Sequence, residues 1–162
     1  MKTLFIFFGI LISGCTFAQS MDLEDRDDSF ILENNKNILK FDIKVPFYQV
    51  KTKGCTDFRA ASFEGGAEAY KTLLSKYMFE FLNSDYYTLN GDFTFTLTID
   101  EKGKVTHLEG SPKIQFSEVF FDDMEYIARR IKKNWAPAIC DGKPVKSQME
   151  IKMSFSSVSA DL

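Results

Sequence analysis

The 162-residue sequence is poor in the side chains that carry most enzymatic chemistry at neutral pH, with His107 its single histidine. The common hydrolases set a nucleophile beside a base. No G-x-S-x-G motif stands in this chain to supply such a pair. His107 therefore reads as an ordinary surface or half-buried histidine. Cysteine is scarce too: Cys55 and Cys140 lie far from each other and from His107, and the three lack the close ligand pairs that zinc sites use. Asp122, Asp123 and Glu125 fall within a predicted helix, where adjacent carboxylates point in different directions and read as a solvated face. The expectation is a protein that is not an enzyme and holds no cofactor and no metal. Basic excess is also absent. Twenty Lys and Arg against 23 Asp and Glu leave a net charge of −3, which makes nucleic acid a poor partner. The four prolines, Pro46, Pro112, Pro137 and Pro144, are scattered and build no stiff Pro-rich spacer.

Long apolar runs are missing as well. Met1-Lys2 followed by Leu4 to Ile12 has the charged start and short apolar core of a secretory signal. Even Leu4 to Ala18 as a helix would reach only about 22 Å, against roughly 30 Å of hydrocarbon. Two cleavage readings stand. Ile12-Ser13-Gly14-Cys15 resembles a lipobox and would leave Cys15 lipidated, whereas Thr16-Phe17-Ala18 before Gln19 fits ordinary small-residue cleavage. Either way export to the periplasm or outer membrane is expected, with membrane contact only through a lipid on Cys15. After residues 1–18, residues 19–36 read as an acidic flexible segment. Within it, Gln19 to Glu33 sets Asp22, Glu24, Asp25, Asp27, Asp28 and Glu33 against Arg26, a charge of −5.

What remains is rich in apolar pattern. The composition, 44% apolar and 27% charged, is that of a globular chain with one core. Ile38, Leu39, Phe41, Ile43, Val45 and Phe47 mostly alternate until Pro46 interrupts, so residues 37–62 read as an arm with an added strand of unknown place. Ala67, Tyr70, Leu74, Tyr77 and Phe81, widened by Leu73 and Leu82, predict a first helix over about 66–83. Phe93, Phe95, Leu97 and Ile99 alternate with Thr94, Thr96 and Thr98, a strand whose threonine face can meet water. Val105 and Leu108 carry the return strand, and their spacing of three predicts a bulge. A second helix follows from Phe116, Val119, Phe120, Met124, Ile127, Ala128 and Ile131. Trp135 then reads as a core plug at a corner ending in Pro137. In the last strand, Met149, Ile151, Met153 and Phe155 face inward and Gln148, Glu150, Lys152 and Ser154 face outward.

Cys55 and Cys140 are the only thiols left once Cys15 is lipidated or removed. In an oxidising compartment they fit a disulfide, and two inert buried cysteines are the alternative. A bridge would close a loop of about 85 residues, worth roughly 4 to 5 kcal/mol in the chain-entropy treatment.

Three segments carry a family resemblance. Trp135, Pro137, Ala138, Gly142, Lys143, Pro144 and Val145 resemble the W-x-P-A…G-K-P-V corner of the TonB C-terminal domain family. Phe63-Glu64-Gly65-Gly66-Ala67-Glu68-Ala69 is similar to its F/Y-P-G-G-x-x-A helix start, with Glu64 in place of proline. Asp100-Glu101-Lys102-Gly103-Lys104-Val105 is similar to its D-x-x-G-x-V hairpin. They occur in the family's order and span Phe63 to Phe155, so residues 63–157 are expected to form a TonB-like domain, with 158–162 a tail.

The resemblance and the periodicities together give an α+β expectation: helix, strand, strand, helix, strand, with three antiparallel strands and two helices packed on one face. The resemblance implies a protein-binding module that takes a partner segment by adding it as a strand to the outer edge of Gln148–Phe155. Such a partner would be a component of outer-membrane transport, and this chain an accessory to TonB-dependent transport. The alternative is a structural envelope protein that self-associates through the same edge, as a homodimer.

Overall fold

The computed structural model describes residues 29–33, 37–50, 54–115, 117–132 and 135–159. In chain order the elements are β1 (Phe30–Glu33), β2 (Asn37–Gln49), β3 (Phe58–Arg59), β4 (Ser62–Phe63), α1 (Gly66–Phe81), a 3-10 turn (Ser84–Tyr86), β5 (Asn90–Ile99), β6 (Val105–Ser111), α2 (Glu118–Arg130), β7 (Trp135–Ala136), β8 (Ala138–Cys140), β9 (Lys143–Val145) and β10 (Ser147–Ser159). The class is α+β, but the expected three-stranded sheet is replaced by a five-stranded antiparallel one, ordered β1-β2-β10-β5-β6. Two small ladders, β3-β8-β9 and β4-β7, stand beside it.

The correction comes from two segments: β2 lies in the residues read as an arm, and β1 in residues 19–36, read as an acidic flexible segment. Leu39, Phe41 and Ile43 alternate into the core, and that one-sided burial fixes the register of β2. β2 pairs along β10 from Gln49↔Met149 to Asn37↔Ser159, with one irregularity between Glu150 and Lys152. Val45-Pro46 is a cis peptide within this strand, so the proline that was read as an interruption sits inside the strand. β10 is thus the middle of the sheet, flanked by β2 on one side and β5 on the other.

One face of the sheet carries both helices. Helix α1 buries Tyr70, Leu74 and Met78. Tyr77 and Phe81, read from the sequence as its inner stripe, are only partly buried. Helix α2 buries Phe120, Met124, Ile127 and Ala128, a stripe at spacings of four, three and one that a single helix face collects. Val119 lies a third of a turn off that stripe and is 61% exposed. Phe116, placed on the same face from the sequence, lies outside the described residues. Below the helices Phe93, Phe95, Phe120 and Phe155 meet mostly edge to face, with centroids 5.2 to 6.4 Å apart, the geometry ring quadrupoles favour. A second aromatic group joins Trp135 to Phe63, Tyr70 and Phe47 at 4.9 to 6.5 Å. Trp135 is 4% exposed, the core plug its position suggested.

Cys55 and Cys140 are bridged, with Cα atoms 5.6 Å apart. The bond ties the loop before α1 to β8, beside the short β3–β8 ladder. Among the described residues no helix is long and apolar enough to cross a membrane.

Candidate functional site: an open sheet edge

A five-stranded open sheet has two edges, and here they are unequal. β1 is four residues long and covers only Phe41 back to Ile38 of β2. β6 runs seven residues, Val105–Ser111, and pairs with β5 alone among the described strands. Its other side presents main-chain N–H and C=O groups without a strand to meet them. Natural edges are commonly blunted by shortness, lysine or proline. β1 uses shortness. β6 has neither lysine nor proline within it, and Pro112 falls one residue past its end.

The local sequence explains how β6 is held. Leu97↔Leu108 and Phe95↔Gly110 face the core, and Thr98↔His107 and Thr96↔Glu109 face away. The register shifts between Thr98 and Ile99, leaving Thr106 without an opposite residue, which is the bulge the spacing of Val105 and Leu108 predicted. Its hydroxyl donates to the Thr98 carbonyl at 3.3 Å. Gly110 has no side chain because Phe121 of α2 fills that place; a Cβ there would overlap the ring.

A shallow groove of about 210 Å³ runs between β6 and the flank of α2, lined by His107, Glu109, Lys113, Phe121, Asp122 and Glu125 among others. His107 Nδ1 lies 3.1 Å from Glu125 Oε2, and Arg129 reaches the other oxygen of Glu125 at 3.6 Å. Lys113 and Glu109 pair loosely at 3.9 Å with both side chains mostly exposed. Exposed pairs of this sort contribute little to stability. They set the charge along the edge.

The sequence-predicted site residues are distributed differently. Met149, Ile151, Met153 and Phe155 do point inward, each buried. Gln148, Glu150, Lys152 and Ser154 do point outward, onto the open face of the sheet, where the Lys152 ammonium lies 5.3 Å from the Tyr48 ring centroid. However, Gln148–Phe155 is no edge. Glu150 faces Thr96 on one side and Tyr48 on the other, and Lys152 faces Thr94 and Lys44, so the backbone expected to receive a partner strand already carries two neighbours. Of the threonine face, Thr94 and Thr96 are partly exposed and Thr98 is buried. Cys15 lies outside the described residues. Cys55 and Cys140, with the Asp141 carboxylate beside them, are the one group of three potential metal ligands drawn together among the described residues, and their sulfurs are spent in the bridge.

What the sequence reading missed is that the edge passes to β6. The alternation of Leu39, Phe41 and Ile43 marks β2 as a strand with a buried face, but that it pairs along β10, and so takes β10 off the rim, is not written in that alternation. A second feature it missed is Tyr87, whose phenol donates to Asp123 of α2. Burial first, and then the hydrogen bond and charge of Asp123, push Tyr87 above the ordinary tyrosine range. No protein-family model, curated protein or solved structure matches the chain.

Proposed function

We propose that this chain is an exported envelope protein, periplasmic or held at the outer membrane by a lipid on Cys15, whose TonB-like domain binds a segment of a protein partner by strand addition on the outer edge of β6. The partner class is a component of outer-membrane transport, and the chain acts as an accessory to that transport. Binding rather than turnover is the activity. The observation that carries the reading is the free main-chain edge of Val105–Ser111. Strand addition takes its affinity from main-chain hydrogen bonds and needs only such an edge. The signal-like start, the three family-like segments and the bridged cysteines support the export and domain parts of the reading.

The test is site-specific photo-crosslinking in native envelopes, with the probe at Glu109 on β6 and, as control, at Lys152 on the open face. Strand addition predicts a discrete adduct from Glu109 and none from Lys152. Proline at Thr106, His107 or Glu109, tried separately because the side to which each N–H points alternates, should remove the adduct in at least one case while the domain stays folded. Equal adducts from Lys152, or an adduct that survives all three prolines, would show that the partner uses another surface.

A further inference from the structure

We propose that, free of a partner segment, β6 pairs antiparallel with β6 of a second copy of this chain about a two-fold axis through Leu108, joining two five-stranded sheets into one. The inference rests on the open edge and on the residue pattern of β6, not on the identity of any transport partner.

An antiparallel strand pair about a two-fold axis demands self-complementarity: every row must suit its own reversed copy. Centred on Leu108, residues 107–109 of β6 meet this demand, and the bulge at Thr106 ends the match before inward Val105 would meet outward Ser111. Leu108 faces Leu108 of the partner subunit on the core side, extending the apolar row that already joins Leu97 to Leu108. On the open side His107 faces Glu109 of the partner subunit, and by symmetry Glu109 faces His107 of the partner subunit. His107 already meets Glu125 through Nδ1, which leaves Nε2 for the incoming carboxylate, and no row sets like charges opposite one another. Centring on Glu109 instead would set two carboxylates face to face at the axis, and centring on His107 would set two imidazoles there.

The neighbouring helix fits the same axis. Phe121 packs on Gly110 and the Glu125 carboxylate reaches His107, so α2 runs antiparallel to β6, from Glu118 near the end of the strand to Arg129 beyond its start. A two-fold axis through Leu108 therefore brings the acidic start of one α2 toward the basic end of the other, Glu118 toward Arg129 of the partner subunit. Both side chains are exposed. The two helices lie on the same face of the joined sheet and extend one layer. Self-pairing also accounts for an edge strand without lysine or proline, since the second copy covers it.

The experiment is sedimentation velocity on the exported protein over a wide concentration range. A mass rising from one chain to two is expected. Glu109→Lys should weaken the dimer about tenfold, because it converts two favourable rows into unfavourable ones, and His107→Glu should do likewise. Mixing the two variants should restore a heterodimer, since Glu at 107 then meets Lys at 109 in one row and the native His107 and Glu109 remain in the other. Circular dichroism checks that each variant is folded. Should either fail to fold, His107→Cys mixed with Glu109→Cys provides the second arm, with a bond between chains expected on oxidation. A protein monomeric throughout the range overturns the proposal. So does a dimer indifferent to both charge changes, or the lack of any cross-chain bond. These outcomes are independent of the partner test, in which the Glu109 adduct is told apart by mass from a cross-linked pair of this chain.

Discussion

The backbone N–H of Trp135 donates to the carbonyl of Gly103 at 2.8 Å, and Gly103 sits so close beneath it that a Cβ would overlap the Trp135 carbonyl. The contact locks the β5–β6 hairpin to the corner after α2. Asp100 completes the turn by accepting from Lys102 and Lys104 through its side chain, at 2.9 and 2.8 Å. Two of the three family-like segments thus meet at one point, and the reason for glycine in D-x-x-G-x-V is visible: φ is +79° and there is no room for a methyl group.

Gly103→Ala is expected to destabilise the domain by about 2 to 4 kcal/mol, since strain at positive φ adds to a clash with immovable backbone. Urea unfolding should show it. An effect within about 0.5 kcal/mol would mean that the corner can move away freely.

The disulfide gives a second expectation. Denatured but unreduced protein should take up no thiol label at Cys55 or Cys140. Cys55→Ala with Cys140→Ala should cost up to about 4 to 5 kcal/mol, the chain-entropy figure for a loop of this length. Partner capture at β6 should survive, because the bridge sits in the β3–β8 ladder and not beside β6.

The helices, the β5–β6 hairpin and its bulge, the Trp135 plug and the cysteine pair were all legible as patterns in the sequence. The position of β2 was not. Alternation states that a strand has a buried face, but it does not say how many neighbours the strand has, because pairing is a main-chain property that side-chain types report only weakly. The sheet order, and with it the identity of the edge, depended on that missing information. The inward and outward sets of Gln148–Phe155 were correct for the same reason that their edge status was not. Met78 was overlooked because Tyr77 beside it and Phe81, almost one turn on, are larger side chains that complete a similar stripe.

Two buried tyrosines make stability fall in alkali. Burial raises Tyr70 above the ordinary value of 10.0, and burial with Asp123 raises Tyr87. In the unfolded chain both ionise near pH 10, whereas the fold holds them neutral. Their contribution is therefore complete below about pH 10 and lost as the pH climbs beyond it toward the folded values. Unfolding curves from pH 8 to 11.5 should show this decline, and Tyr70→Phe with Tyr87→Phe should flatten it. Tyr70→Phe alone should be neutral or stabilising by about 1 kcal/mol at pH 7, because the Tyr70 hydroxyl is buried without a hydrogen-bond partner among the described residues.

Lys71 offers the sharpest test of how α1 is seated. It lies on the inward side of the helix with its side chain only 9% exposed, and its ammonium is 3.8 Å from Asp42 of β2 and 5.9 Å from the Phe30 ring centroid of β1. Removing Asp42 takes one counter-charge from an ammonium that is largely out of water, whereas replacing both groups with apolar ones need cost nothing. Asp42→Ala should therefore destabilise the domain by about 1 to 3 kcal/mol, and Lys71→Met in the Asp42→Ala background should recover most of that loss. Urea unfolding of the two single variants and the double variant closes the cycle. If the double variant is no more stable than Asp42→Ala alone, the Lys71–Asp42 pair does not couple α1 to β2, and the packing of Tyr70, Leu74 and Met78 counts for more in seating the helix.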